Sequence, residues 1–180
     1  MTTNPDVAAA AAPTMLAAFR AVATGPQRPM LLYFDTVLTY GDIDRMSDAF
    51  AVALADNGFG CGDRMALYLQ NMPQYVIALI AAWKLGGIAV AINPMLTPRE
   101  VSKLLEDASP SVLVALDELH TQELAEVLHN SSVRWVVTTS APDGHGADDF
   151  TRLMASYDGS VPTGLDINGD GIAVITYTSG

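Results

Sequence analysis

Short apolar runs and amphipathic segments alternate along most of this chain. The short runs are rich in Val, Ile and Leu and predict buried strands, whereas apolar residues spaced three and four positions apart predict helices. Their regular alternation predicts right-handed crossovers and a parallel sheet. The expected fold is therefore α/β, with a mostly parallel sheet flanked by helices. Predicted strands cover 64–69, 88–92, 111–115, 133–138 and the run that starts at Ile172, and predicted helices cover 73–85, 98–107, 119–129 and 149–156.

A smaller amino-terminal unit precedes this alternation. Residues 14–23 predict a helix, and the apolar runs 30–34 and 37–40 predict a small hairpin around Asp35 and Thr36. The next helix takes Asp42 as its cap. Its buried face is marked by apolar residues at helical spacing, which are Ile43, Met46, Phe50 and Leu54.

Composition sets the size of the core and the class of partner. The chain has 180 residues, 50% of them hydrophobic, which is enough for one sizeable core. No repeat or linker divides it, so we expect a flexible leader over 1–12 and one unit over 13–180. The net charge of −11 argues against nucleic acid and anionic membranes as partners. Any bound phosphate must be held by local donors or by groups outside this chain.

Two further features bear on the compartment. The apolar stretch 75–92 contains Lys84 and two consecutive glycines, so it predicts a core helix, a turn and a strand instead of a membrane span. Cys61 is the only cysteine, which excludes an intrachain disulfide and a thiolate metal cluster. The single cysteine fits a reducing cytoplasm.

Candidate chemistry lies at the end of the chain. An apolar run from Ile172 opens into Thr178, Ser179 and Gly180, which predicts a strand covered on both faces and followed by a loop. Hydroxyls and free backbone N–H groups at the carboxyl end of a parallel strand are suited to binding phosphate. An ordinary Ser/Thr/Gly turn is the alternative that composition alone leaves open.

Three other motifs in the sequence give no evidence of a binding site. The segment 166–171 begins like a calcium loop, but Tyr177 stands where the bidentate acid belongs, so a polar turn is the better interpretation. Three glycines at 58, 60 and 62 follow a helix and precede a strand, the reverse of a dinucleotide loop. The three histidines are widely spaced and have no partner at ligand spacing. We therefore predict no catalytic residue and no metal ligand.

Several segments together resemble the amino-terminal part of the adenylate-forming (AMP-binding) superfamily, above all the fatty acyl-CoA synthetases. Leu38-Thr39-Tyr40-Gly41-Asp42-Ile43 is similar to the family's L-T-Y-x-E-L, and Gly62-Asp63-Arg64-Met65-Ala66 to its G-D-R-V-A. The similarity continues through Asn71-Met72-Pro73-Gln74, Lys84-Leu85-Gly86-Gly87, Ile92-Asn93-Pro94 and Leu96-Thr97-Pro98-Arg99-Glu100. Tyr177-Thr178-Ser179-Gly180 matches the start of the family's phosphate loop, Y-T-S-G-T-T-G-x-P-K-G. Asn93-Pro94 favours CoA ligases over peptide-synthetase adenylation domains.

The resemblance implies a two-step ligase that uses ATP, Mg²⁺ and CoA. A carboxylate, expected to be a fatty acid, attacks the ATP α-phosphate, and the CoA thiol then displaces AMP. Thr178, Ser179 and Gly180 would contact the ATP phosphates through hydroxyls and backbone N–H groups. The strand end near Asn93 would lie near the path of the acyl group or CoA.

The family's remaining segments, including the loop lysine and the T-G-D aspartate, are not in this sequence. We therefore expect an amino-terminal fragment that ends within the phosphate loop, is inactive alone, and self-associates through surface exposed by truncation. The alternatives are a fragment of an aryl-CoA ligase and a non-catalytic interaction or scaffold module that retains part of the fold.

Overall fold

The structure is a computed structural model, and it describes residues 14–140, 149–163, 167 and 169–178. The predicted leader over 1–12 lies outside the described residues. The helices are α1 Met15–Val22, α2 Tyr40–Asp56, α3 Pro73–Lys84, α4 Pro98–Ala108, α5 Gln122–His129 and α6 Asp149–Ser156. The strands are β1 Pro29–Tyr33, β2 Thr36–Thr39, β3 Arg64–Tyr68, β4 Ile88–Ala91, β5 Val112–Leu116, β6 Trp135–Thr139 and β7 Val174–Thr176.

Strands β3 to β7 form one parallel sheet, in the order β6-β5-β3-β4-β7. Strands β1 and β2 form a separate antiparallel hairpin. These pairings confirm the predicted α/β class, the parallel sheet and the small amino-terminal hairpin. The sheet order also means that β7 joins the sheet beside β4, although the two strands are far apart in sequence.

Successive side chains of each central strand pack into two different hydrophobic cores. In β3, Met65 and Leu67 pack into a cluster that includes side chains of α1, α2, α3 and α6. Ala66 and Tyr68 point the other way, into a cluster with side chains of α4 and α5. Because side chains alternate across a strand, the sheet is covered by helices on both faces and forms the middle layer of three.

Helix α2 begins earlier than the sequence suggested. Thr39 is the cap, and its hydroxyl oxygen accepts from the Asp42 N–H at 3.1 Å. The Asp42 carboxylate accepts in return from the Thr39 N–H at 2.9 Å. The prediction that Asp42 caps the helix was therefore wrong. Thr39 and Asp42 instead form a reciprocal cap, in which the side chain of each residue accepts from the backbone N–H of the other.

The hairpin turns one residue earlier than expected. Phe34 and Asp35 occupy the turn, and Thr36 already belongs to β2. Phe34 has φ 50°, a left-handed conformation that costs energy for a bulky side chain. Its ring packs edge-on against Tyr33 at a centroid distance of 4.8 Å while 82% of its surface stays exposed.

The last strand differs from its predicted environment. It was expected to be covered on both faces, but only Ile175, on the face toward α4 and α5, is partly buried. In addition, β7 pairs only with β4, and no described strand lies along its other edge. Val174 is 38% exposed and Thr176 is exposed. An apolar β-branched run indicates a strand but does not reveal whether that strand is central or at an edge.

Helix α5 begins three residues later than predicted. A short 3₁₀ turn covers Asp117–Leu119, and the helix starts only after Thr121, whose hydroxyl accepts from the Leu124 N–H at 3.3 Å. The hydroxyl cap sets this boundary, which apolar spacing alone placed too early.

Candidate functional site

The carboxyl ends of β3 to β7 meet at one edge of the sheet because all five strands are parallel. In open α/β sheets this edge is where ligands bind. The described segments that follow these strands therefore form the candidate site. They begin at Leu69, Ile92, Asp117, Ser140 and Tyr177.

Thr178 lies at this edge and is exposed. The β4–β7 register pairs Ala91 with Thr176, so Thr178 and Asn93 stand at corresponding positions just beyond the two strands. The Asn93 side-chain oxygen accepts from the Met95 N–H at 2.9 Å and turns the chain away from β4. The structure thus brings together the strand ends that carry Thr178 and Asn93. Ser179 and Gly180 lie outside the described residues.

Tyr177 ties the end of β7 to a neighbouring helix. Its hydroxyl donates to Oδ2 of Asp107, near the end of α4, at 2.7 Å. Burial, followed by the hydrogen bond and the negative charge of Asp107, raises the pKa of Tyr177 to about 12. The phenol is therefore protonated and able to donate throughout the neutral range.

The other end of β7 is held from the opposite face of the sheet. The indole Nε1 of Trp83, on α3, donates to the carbonyl of Ala173 at 3.1 Å. The Ala89 N–H donates to the same carbonyl, also at 3.1 Å. Trp83 was expected to be a core residue; it packs against the core and also makes this hydrogen bond.

The loop after β4 is fixed by a buried tyrosine. The hydroxyl of Tyr68, at the end of β3, donates to the carbonyl of Leu96 at 2.5 Å. Burial raises the pKa of Tyr68, and the nearby Glu100 charge adds to the effect. This contact holds the segment that contains Asn93 against the central strand.

Lysine and arginine are missing from the described loops of this edge, and Arg99 lies just beyond them in the first turn of α4. Between the strand ends and the following helices, the described segments contain neither lysine nor arginine, and Asp117 accepts from the Ser140 hydroxyl at 2.8 Å. Phosphate bound here would therefore rely on hydroxyl and backbone N–H donors. Thr178 supplies one such hydroxyl.

The described residues offer neither a metal cluster nor a membrane-spanning helix. The described residues contain no group of three or more His, Cys, Asp or Glu side chains placed to hold a metal ion. Asp166 and Asn168 of the calcium-like segment lie outside the described residues. Cys61 is free and exposed. Among the described helices, none has the length and apolar character needed to cross a membrane.

Two residues of the family-like motifs have structural roles that sequence inspection did not assign. Arg64 donates from Nε to the Ala108 carbonyl at 3.0 Å and from Nη2 to the Ser109 carbonyl at 2.9 Å, so it caps the end of α4. Lys84 is the second. Its Nζ lies 2.6 Å from carboxylate oxygens of both Asp44 and Asp48.

The Lys84 cluster joins α3 to α2 inside the protein. The lysine side chain is 1% exposed, and Nζ also donates to the Asp44 carbonyl at 2.8 Å. Burial raises the pKa of Asp48, against the opposing effect of Lys84. A lysine within an apolar helix was the available signal, but its partners come from a helix some forty residues earlier.

Comparison with known proteins identifies the class. Residues 18–180 match the family described as AMP-binding enzyme. The chain belongs to this family. Its fold is also that of the crystal structure of apo MatB from Rhodopseudomonas palustris, with a TM-score of 0.79 and 23% identity over 92% of this chain and 32% of that one.

Curated relatives include two kinds of CoA ligase. The chain is 36% identical to a long-chain-fatty-acid–CoA ligase of Haemophilus influenzae, over 69% of this chain and 22% of the relative. It is 28% identical to 4-coumarate–CoA ligase 2 of Nicotiana tabacum, over 80% of this chain and 26% of the relative. The chain thus spans about a quarter of the length of these relatives.

Proposed function

We propose that this chain is the amino-terminal part of an ATP-dependent acyl-CoA ligase. In the first half-reaction a carboxylate oxygen attacks the ATP α-phosphorus, and the bond to pyrophosphate breaks, giving acyl-adenylate. In the second, the CoA thiol attacks the acyl carbon and AMP leaves. The observation that carries this proposal is an exposed Thr178 at the carboxyl end of a parallel strand, in a chain that belongs to the AMP-binding enzyme family.

The role proposed for this chain is to hold the ATP phosphates. The Thr178 hydroxyl, with Ser179 and Gly180 after it, supplies donors that stabilise phosphoryl oxygens electrostatically. Mg²⁺, when bound, neutralises phosphate charge, but no described side chain is assigned to it or to CoA. With a net charge of −11 and neither lysine nor arginine in the described loops of the site, we expect the 180-residue chain to be inactive by itself.

A long-chain fatty acid is the proposed carboxylate. The fatty acid ligase of Haemophilus influenzae is more similar in sequence to this chain than the plant coumarate ligase is, which supports that choice. The similarity to the coumarate ligase extends over more of this chain than the similarity to the fatty acid ligase does. An aromatic acid is therefore the second candidate. The cytoplasm is the proposed compartment, in keeping with the free, exposed Cys61.

ATP–pyrophosphate exchange with a panel of acids tests this proposal. The 180-residue chain and a protein that continues through the downstream coding sequence are assayed with long-chain fatty acids, 4-coumarate and benzoate. We expect exchange only in the longer protein, and fastest with a long-chain fatty acid. Fastest exchange with an aromatic acid would replace the fatty acid proposal, and no exchange with any acid would favour an interaction module.

Thr178 is tested in the same assay. Thr178→Val removes the hydroxyl and should lower kcat/KM for ATP by about tenfold to a hundredfold, as expected for one donor to a phosphoryl group. Thr176→Val, two residues earlier in β7, is the matched control and should leave the rate unchanged. Equal rates in both variants and the wild type would remove Thr178 from the site.

A further inference from the structure

Strand β7 is short and makes few contacts with the rest of the sheet. It is three residues long, and among the described strands only β4 pairs with it. Val174 and Thr176 are exposed, and Ile175 is partly buried against the α4 and α5 side of the sheet. Because Thr178 lies two residues beyond the end of the strand, any shift of this strand moves the proposed phosphate donors.

Two side-chain hydrogen bonds hold the two ends of β7. Trp83 donates to Ala173 just before the strand, from the face that α3 covers. Tyr177 donates to Asp107 just after the strand, on the face that α4 covers. The second contact adjoins Thr178. At 2.7 Å, and with a carboxylate as acceptor, it has the geometry of a charge-assisted hydrogen bond.

We propose that Asp107 is a positioning residue for ATP: through Tyr177 it sets where the phosphate-binding loop begins. Asp107 would act through Tyr177 and not on the substrate itself. Its carboxylate fixes the Tyr177 ring, and the ring fixes the backbone from which the Thr178 hydroxyl projects. This inference rests on the proposed ligase function and assigns a role to a helix residue outside the family-like motifs.

Steady-state kinetics of the longer protein test the inference. Tyr177→Phe removes the donor and Asp107→Ala removes the acceptor. Each should raise KM for ATP by about tenfold, the effect of losing one hydrogen bond to a charged group, while KM for the acid changes less than about twofold. The double variant should be no worse than the poorer single variant, because both substitutions break the same contact.

Matched variants separate positioning from charge and folding. Asp107→Asn keeps an oxygen that accepts from Tyr177 and should recover most of the ATP affinity. Glu106→Gln, the neighbouring exposed acid, loses the same charge without losing the contact and should behave as wild type. Thermal unfolding of every variant identifies any that fails to fold.

Three results would overturn the positioning role of Asp107, and a fourth would overturn the proposed function. An active wild type whose KM for ATP is unchanged by Tyr177→Phe and Asp107→Ala would overturn the positioning role. Equal rises in the KM values of ATP and acid, or a Glu106→Gln effect as large as that of Asp107→Ala, would do the same. A wild type that is inactive with every acid would instead overturn the proposed function, and this inference with it.

Discussion

A single buried lysine shows how one residue sets the packing of two helices. Lys84 lies in the last turn of α3, where a positive charge is favourable near the helix carboxyl end. Its burial is tolerated because Asp44 and Asp48, one turn apart on α2, surround the ammonium group with oxygen. The cluster therefore fixes how α2 and α3 pack together.

Replacing this lysine should destabilise the fold strongly. Lys84→Met keeps the apolar stem but leaves Asp48, which is largely buried, without its cation. We expect the free energy of unfolding to fall by about 2–4 kcal/mol, measured by urea denaturation. Lys103→Met, on the exposed face of α4, should change it by less than about 0.5 kcal/mol. A loss at Lys84 as small as that of the control would contradict the role of the cluster.

A glycine in the turn after α3 should be equally sensitive, for a steric reason. A Cβ at Gly87 would lie 3.2 Å from the Ala82 carbonyl and closer still to the buried Phe59 ring. Gly87→Ala should therefore cost about 1–3 kcal/mol by overpacking. Gly60→Ala, which meets nothing within 4 Å, is the control and should be close to neutral in urea denaturation. Equal stabilities of the two variants would show that Phe59 moves aside freely.

The contacts of Lys84 and Gly87 could not be predicted from the sequence alone. Lys84 and Gly87 were visible in the sequence as interruptions of an apolar stretch. Their partners Asp44, Asp48 and Phe59 belong to segments brought near only by the tertiary fold. Their contacts therefore could not be derived from spacing along α3.

At the scale of elements, two helices begin with a threonine bonded to an acid three residues later. In α2 the Thr39 N–H and then its hydroxyl donate to Asp42, and these bonds hold the pKa of that carboxyl below its ordinary value. At α4 the Thr97 N–H and hydroxyl likewise donate to Glu100, each at 2.8 Å, and the pKa of Glu100 is lowered for the same reason. Both acids must be ionised for the caps to form fully.

These caps make stability depend on acid pH. Because the folded-state pKa of Asp42 is lowered, its contribution is present above the ordinary value near pH 4 and is lost as pH falls through the folded value. Urea denaturation should show Asp42→Asn about 1 kcal/mol less stable than wild type at neutral pH, with the gap closing below about pH 4. Thr39→Ala removes one of the donors and should also flatten the profile. Profiles as steep as that of wild type in both variants would argue against this origin.

Elements were predicted well where periodicity and caps agreed. The helix predicted over 149–156 coincides with α6, and Pro73 and Pro98 occupy the first turns of α3 and α4, as their limited backbone geometry favours. The hairpin turn was misplaced because Phe34 adopts a left-handed conformation that favours glycine or asparagine. No local rule assigns a phenylalanine to that position.

At the scale of the whole molecule, the exposed edge of β7 should promote association. Ile172 is 63% exposed and Val174 38%, beside a strand edge with no described partner. Open apolar edges pair with other chains. We expect the 180-residue chain to form dimers or larger species as concentration rises, measured by sedimentation velocity. Val174→Lys should shift it toward monomer, whereas Val22→Lys, on α1, should not. A wild-type monomer at every concentration would contradict this expectation.

The candidate site was only partly accessible from the sequence. The strand before Thr178 was predicted from an apolar run that ends in hydroxyl residues. The parallel sheet was predicted from the alternation of strands and helices along the chain. The side chains that hold this strand were not predicted, because Trp83 and Asp107 lie 90 and 70 residues away from the groups they contact. Such pairs depend on how helices cross the sheet, which local patterns do not specify.

The sheet order also has a consequence for synthesis of the chain. Strand β4 pairs with β3 soon after it emerges, but its other neighbour, β7, is made only after α4, β5, α5, β6 and α6. At a translation rate of about 5–20 residues per second, this interval lasts on the order of ten seconds. Throughout it, one side of β4 offers unpaired backbone groups on the ribosome. Until β7 is made, this edge of β4 is open to a chaperone or to another nascent chain.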